Sequence, residues 1–511
     1  MNSAVARLAS IERYALPLCL AVQAVLLFPQ LDLLPVWGDE HYTIQTASQP
    51  LSGVLETVRR EVNNPPLHPI LVHFWLRGPW PGSTPIKARA LSVLFALAAT
   101  LLLDRLWLRP LPGRCRIWYL ALWCLSPYML LYSRMARAYT LQAALFCAAL
   151  WFATRLFTGQ GKLGLWLGFI LTSLALLYVH YLPGMAVLAS VAAVFLWKAV
   201  RERKPRLLGG LMASAGLIVI LYLPWLLYLQ AAMGRVARAA AYSPFGESVT
   251  SHALRLAYLF FSFHFGETPP EWVVAASVVL APLLSFCLWK AAARPPVWFA
   301  LLAITAVAGY LAASRWVSFA FVPARLVFVY PFFLLLLVLG LERAGRRLRV
   351  ICLTGLVCLS AASIIQYFQR EGFLNKAYLM PYDEAARLIQ SGTPGTDTVV
   401  IVDMYNNDPW PLVARLPDGV RVVQVAPGRS FESLRSEVAT QRARTVWYFR
   451  NTHDVSPGGI NRKLETELSA GRQVRSHLFL PYSRLDRWMM QLLGWPERPT
   501  HVIQMLEIRG P

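Results

Sequence analysis

The chain has 511 residues, 56% hydrophobic and only 15% charged, and its apolar residues fall in long runs, which excludes an ordinary water-soluble globule and indicates a polytopic membrane protein. A net charge of +22 would suit nucleic acid, but the basic residues lie in short loops between apolar runs, so the expected surroundings are membrane lipids, with no nucleic acid partner. The seven cysteines, Cys19, Cys115, Cys124, Cys147, Cys287, Cys352 and Cys358, lie in or beside apolar runs, and this pattern indicates neither a disulfide framework nor a zinc cluster.

The first apolar run, 14–34, is roughly 20 residues long and therefore able to span a bilayer. It is too long and too poorly flanked by small residues for a cleaved signal peptide, so it is expected to stay in the protein. Further spans are expected near 86–107, 116–133, 138–157, 163–181, 184–200, 207–230, 272–291, 296–313, 324–342 and 348–369, about eleven in all. Arg105, Arg109, Arg114 and Arg116, then Lys198, Arg201, Arg203, Lys204 and Arg206, then Arg343, Arg346, Arg347 and Arg349 fill alternate connections. The positive-inside rule puts those connections in the cytoplasm and the long loops 35–85 and 231–271 outside.

After Arg370 the pattern changes. Thr398–Val402, Val420–Val425 and Thr445–Phe449 read as strands, alternating with helical segments at Tyr382–Ile389 and Phe431–Thr440. The expected fold class is a membrane all-α bundle over 1–370 and a C-terminal soluble α/β domain over 371–511, on the external side because the number of spans is odd. The tail has no G-x-G-x-x-G or P-loop, so nothing there supports nucleotide binding.

Polar residues scattered in sequence collect, on this topology, at external helix ends and loops: Asp39, Glu40, His68, Arg134, Arg137, His180, Tyr181, Arg315 and Arg325. Charge at a helix end can reach the interface, whereas at the bilayer centre it costs about 2.5 to 3.5 kcal/mol or more. Each residue taken singly has an ordinary reading: solvated loop acids, interfacial arginines, packed histidines.

The order of the fragments is what resembles a family. Asp39-Glu40-His41-Tyr42 after the first span resembles the Asp-Glu motif of the GT-C glycosyltransferases, in the branch of protein O-mannosyltransferases and lipid A aminoarabinose transferases. Asn64-Pro65-Pro66-Leu67 is similar to the family's His-Pro-Pro-Leu segment, Arg89 to its start-of-helix Arg, and Ser126-Pro127 with Arg137-Ala138-Tyr139 to its Ser-Pro and Ala-Arg-x-Tyr segments. His180-Tyr181 is similar to its Thr-His-Tyr, and Arg325 before Tyr330-Pro331 to its late Arg-Tyr element. Asn64 stands in place of His, Val179 in place of Thr, and Leu326 in place of Tyr.

The resemblance implies a GT-C type bundle in a bacterial inner membrane, with the active site on the periplasmic side. It implies transfer of a sugar from a polyprenyl-phosphate-sugar donor to an acceptor hydroxyl on a lipid, glycan or protein. A phosphate leaves without an acid's help, so one carboxylate serves as base, in contrast to the opposed pair of hydrolases, and inversion is expected. The expected assignments are Asp39 as base and Glu40 as its orienting neighbour. Arg325, Arg137, Arg134 and Arg89 are expected at the donor phosphate, where guanidinium groups make bidentate contacts. Tyr139, His180, Tyr181, His68 and Asn64 are expected to bind substrate. No cofactor is required, although a divalent metal ion is compatible with the family; no compact ligand set such as H-E-x-x-H demands one. The competing readings are a polytopic lipid or sugar transporter or flippase, against which stands the lack of a visible repeat, and a binding protein that uses the external domain.

Overall fold

A computed structural model of the chain describes residues 2–61, 64–240, 249–292, 322–392, 398–403, 410–417, 419–425, 430–440, 445–451, 460–480, 487–488, 491 and 503–509. The chain forms two compact units: Met1–Leu31 with Thr43–Tyr367, and Asp32–Tyr42 with Phe368–Pro511.

The first unit is helical. Helix α1 (Asn2–Leu27) ends well short of residue 34, because Pro29 disfavours helical backbone at Phe28 and Gln30 takes a φ of 52°. The connection expected at 35–85 is itself mostly helical, with α2 (Gly38–Ser48), α3 (Leu51–Glu61) and α4 (Leu67–Leu76). Val54 and Val58, one turn apart on α3, are buried against Ile170, Leu177, Ile218, Tyr222 and Trp225. Helix α5 (Thr84–Leu103) runs on through a π turn at Asp104–Leu108. The span expected at 116–133 is broken into α6 (Gly113–Cys124) and α7 (Pro127–Ser133). Pro127 has no N–H to continue α6, and Ser126 caps α7 by accepting from the Met129 amide at 3.1 Å.

Next come α8 (Tyr139–Phe157), α9 (Leu163–Val179), α10 (Tyr181–Arg201) and α11 (Pro205–Ala240). Helix α11 extends ten residues past the expected end of its span, and α12 (Val249–Phe265) occupies much of the remainder, so the loop expected at 231–271 is largely helix. After α13 (Glu271–Ala292), the expected span 296–313 and Arg315 lie outside the described residues. A 3-10 turn at Pro323–Leu326 precedes α14 (Tyr330–Arg343), and α15 (Arg346–Gln369) ends the unit's helices. Among the described residues, six segments are long and apolar enough to cross a membrane: Thr84–Leu108, Tyr139–Phe157, Pro183–Arg201, Pro205–Gln230, Glu271–Ala291 and Arg346–Gln369. Of the other expected spans, the one at 163–181 is the shorter apolar helix Leu163–Val179, and the one at 116–133 is broken at Ser126-Pro127. Val219, Ile220 and Leu227 on α11 are exposed, as a lipid-facing span requires.

Ion pairs brace the far end of α5. The buried carboxylate of Asp104 takes a two-pronged contact from Arg116, at 2.6 Å from Nε and 3.0 Å from Nη2. Arg116 also approaches Glu12 at 3.8 Å, and Glu342 pairs with Arg114 and with Arg349. These contacts tie α1, α6, α14 and α15 together.

The second unit holds a five-stranded sheet of order β2-β1-β3-β5-β4, built from β1 (Thr398–Asp403), β2 (Arg421–Gln424), β3 (Thr445–Asn451), β4 (Gln473–Leu480) and β5 (Ile503–Arg509). β1 pairs in parallel with both β2 and β3, while β5 runs antiparallel to β3 and β4. Alternate residues of β1 and β3 serve opposite faces. Val400, Val402, Trp447 and Phe449 pack with α16 (Tyr382–Gly392) and α17 (Trp410–Val413). Val399, Ile401, Val446 and Tyr448 pack with α18 (Phe431–Thr440) and α19 (Ile460–Ser469). Both faces are covered, which explains why β1 reads as an unbroken apolar run.

Candidate active site

In the helical unit the turn between α7 and α8 presents Arg134 and Arg137, and the two are used differently. Arg134 is buried, and its guanidinium donates to the carbonyls of Leu26 at 2.9 Å, Leu27 at 3.1 Å, Pro29 at 2.8 Å and Gln30, with Nε on the Tyr367 hydroxyl at 3.0 Å. These are the acceptors left open where α1 ends, so Arg134 caps that helix. Arg89 is also buried, and it donates to the Leu31 carbonyl at 2.6 Å. Both arginines thus donate to backbone carbonyls of the chain.

Arg137 is only partly buried. Its Nη1 donates to the hydroxyl of Thr43 at 2.9 Å and its Nη2 to the side-chain carbonyl of Asn64 at 3.2 Å, both neutral acceptors. Ser92 of α5 holds its backbone by donating to the Arg137 carbonyl at 3.2 Å. His68, at the start of α4, is 5% exposed, and burial together with the nearby Arg137 guanidinium pushes its imidazole down to about 3. His180 lies in the break between α9 and α10, and burial, then Arg325, then Arg137, push it down to about 3 as well. Tyr181 is raised by burial, with Arg325 opposing, which places Arg325 beside this pair as well. His68 Nε2 and His180 Nδ1 are buried without a hydrogen-bond partner among the described residues.

Arg325 is fixed by a short chain of contacts. It stands in the 3-10 turn whose Pro323 carbonyl accepts from Tyr128 at 2.6 Å, and Tyr330 just beyond donates to Ser126 Oγ at 2.8 Å. The Ser-Pro segment is thus the seat of the late arginine. Tyr139 is buried edge-on to Tyr132, with centroids 5.3 Å apart. The structure therefore gathers Arg137, Arg325, His68, His180, Tyr181 and Asn64, while Arg134 and Arg89 donate to the backbone at and just after the end of α1 and Tyr139 packs on Tyr132.

One residue escaped the sequence reading. Glu267, in the buried connection between α12 and α13, accepts from the hydroxyls of Tyr132 and, at 2.9 Å, Tyr258. Burial pushes its carboxyl up to about 7, against the pull of the two hydroxyls. Gly266 beside it has a φ of +75°, and a Cβ there would lie 2.7 Å from Pro127, so the connection sits tightly on the start of α7. The available signal was a lone carboxylate between the aromatic run Phe260–Phe265 and Pro269-Pro270.

The acid pair belongs to the second unit, as the first turn of α2. Trp37 is the N-cap residue, its carbonyl accepting from the His41 amide at 2.9 Å. Acids in that turn suit the positive end of the helix dipole. Glu40 is 1% exposed whereas Asp39 is only partly buried, so the two carboxylates face different surroundings. Among the described residues no three His, Cys, Asp or Glu side chains come together as ligands for a metal ion.

No protein-family model and no curated protein matches the chain. Among solved structures it is similar to ArnT from Cupriavidus metallidurans in the apo state, at 13% identity and a TM-score of 0.49 over 96% of this chain and 97% of that one. The same enzyme bound to undecaprenyl phosphate is similar at 14% identity, with TM-score and coverage unchanged. An oligosaccharyltransferase from Archaeoglobus fulgidus, in complex with Zn and sulfate, is similar at 13% identity and a TM-score of 0.45, over 85% of this chain and 68% of that one. At such identity and overlap the likeness carries no functional weight.

Proposed function

We propose that the protein is an integral-membrane glycosyltransferase that moves a sugar from a polyprenyl-phosphate donor to an acceptor hydroxyl, at the external, periplasmic face of a bacterial inner membrane. The observation that carries the reading is the grouping of Arg137 and Arg325 with His68 and His180, two guanidiniums acting on two buried neutral imidazoles that each keep a nitrogen without a partner among the described residues. A phosphate satisfies this set. Its charge meets the guanidiniums, and its oxygens meet ring N–H donors that bring no further charge. The order of the sequence motifs from Asp39 to Arg325 supplies the family context.

In this mechanism Asp39 removes the proton of the acceptor hydroxyl as its oxygen bonds to the sugar's anomeric carbon. The bond from that carbon to the donor phosphate breaks with its electrons, and Arg325 and Arg137 receive the charge left on the phosphate. Fixed donors of this kind contribute about 2.7 to 4 kcal/mol each. Attack opposite the leaving phosphate inverts the anomeric centre. Glu40, buried beside Asp39, orients the first turn of α2. Arg134 and Arg89 act through the backbone they hold at and beyond the end of α1.

The test is mass spectrometry of glycolipids and glycoproteins from a strain lacking the gene, complemented with the wild type or with Asp39→Asn. The glycosylated product disappears on deletion and returns with the wild type, and it falls by about 10²- to 10⁴-fold with the Asn variant at equal expression. Full restoration by Asp39→Asn would remove the base from the mechanism.

A further inference from the structure

The sequence divides the chain into a catalytic membrane part and a separate tail, whereas the structure puts the acid-bearing segment Asp32–Tyr42 into the same compact unit as Phe368–Pro511. The contact within that unit is specific. The ring of Tyr378, in the 3-10 turn Lys376–Leu379, meets the indole of Trp37 edge-on, with centroids 5.1 Å apart and planes at 78°. That is a favoured geometry for an aromatic pair. Tyr378 is 3% exposed, and its neighbours Phe373, Leu379 and Met380 are equally buried, so the ring is set in a packed wall. Just before Trp37 in the chain, Leu34 and Val36 are each 7% exposed.

Trp37 matters because of where it stands. Its carbonyl makes the first hydrogen bond of α2, to the amide of His41. Gly38 separates it from Asp39, and Gly has the greatest backbone freedom of any residue, so without an anchor at Trp37 the first turn would fray. An aromatic ring clamped on the N-cap residue fixes the position from which Asp39 projects.

We propose that the C-terminal unit serves catalysis by holding the acid pair, with Tyr378 as a positioning residue that acts on Asp39 through Trp37. This rests on the reading of Asp39 as the base. It gives the sheet-bearing unit a task in catalysis: Tyr378 belongs to the turn that leads, through Met380 and Tyr382, into α16 and the buried face of the sheet, so the sheet is the foundation of the clamp.

The experiment uses the full-length protein with Tyr378→Ala, Tyr378→Phe and Asp39→Asn. Hydrogen exchange of amides 34–42 is read in detergent, and product yield is read by mass spectrometry in the deletion strain. Tyr378→Ala is expected to speed exchange over 34–42 by at least tenfold, to lower the product about tenfold, and to leave the affinity for added undecaprenyl phosphate within twofold. Tyr378→Phe, which keeps the ring, restores both exchange and yield. Yield unchanged in Tyr378→Ala while Asp39→Asn is inactive overturns the clamp and leaves the base in place. Yield unchanged in Asp39→Asn overturns the base assignment, and the clamp with it. A loss in Tyr378→Ala that Phe does not rescue also overturns the clamp, since the ring is then not what acts.

Discussion

Along α5, arginines of the neighbouring elements stand in opposite circumstances. At the end marked by Asp104, Arg116 meets that buried carboxylate through two nitrogens, and Arg114 and Arg349 share Glu342. In its first half, where Ser92 holds the backbone of Arg137, the guanidinium of Arg137 donates to a hydroxyl and an amide carbonyl, and with burial it helps keep the imidazoles of His68 and His180 neutral. A charge already neutralised by a neighbour holds helices together. Hydrogen bonds to a hydroxyl and an amide, by contrast, fix the plane of a guanidinium. Arg134 shows that proximity to the site is not sufficient: three residues before Arg137, it is used up by carbonyls at the end of α1.

The difference can be broken from the paired side first. Asp104→Ala strands Arg116 among buried surroundings, and removing one partner of a buried pair costs about 3 to 5 kcal/mol. The expected outcome is a large fall in melting temperature in detergent, with weakened ligand binding only to the extent that folded protein is lost. A variant that melts like the wild type would show that the pairing does not brace the bundle.

Glu267 sharpens the comparison through pH. Its carboxyl titrates near 7 in the folded chain and near 4.5 when unfolded, so between those values the folded state holds the extra proton. Its contribution is therefore complete below about pH 4.5 and is lost as pH rises through 7, on the order of 3 kcal/mol for a shift of that size. Glu267→Gln, which cannot ionise, should lose less stability than the wild type as pH is raised across that window. Melting curves at matched pH check the sign, and equal slopes would contradict the burial of the carboxyl.

How much of this was legible depends on the kind of signal. Long apolar runs marked α5, α8, α10, α11, α13 and α15, because length and hydrophobicity alone decide whether a helix can cross a bilayer. Periodicity also found β1, β2 and β3. It missed β4 and β5: β4 is an exposed edge strand whose Arg475, Ser476 and His477 interrupt the apolar pattern, and β5 pairs with it across a long stretch of sequence. The ordered motifs pointed to Arg137, Arg325 and His180, but no sequence rule separates Arg137 from Arg134, since the distinction lies in which carbonyls the end of α1 leaves open. The grouping of Asp39 with the C-terminal unit was equally hidden, because it depends on a contact between residues 37 and 378.

The central claim is that Arg137 and Arg325 form the seat of a lipid-linked phosphate. Its most direct test is titration of the purified protein with undecaprenyl phosphate, comparing the wild type with a double variant, Arg137→Gln and Arg325→Gln, at matched melting temperature. Charge-assisted hydrogen bonds contribute about 1.5 to 3 kcal/mol each, so losing both should weaken binding by about 100-fold or more. Saturable binding by the wild type that the double variant reproduces at the same concentration would contradict the claim and move the phosphate elsewhere.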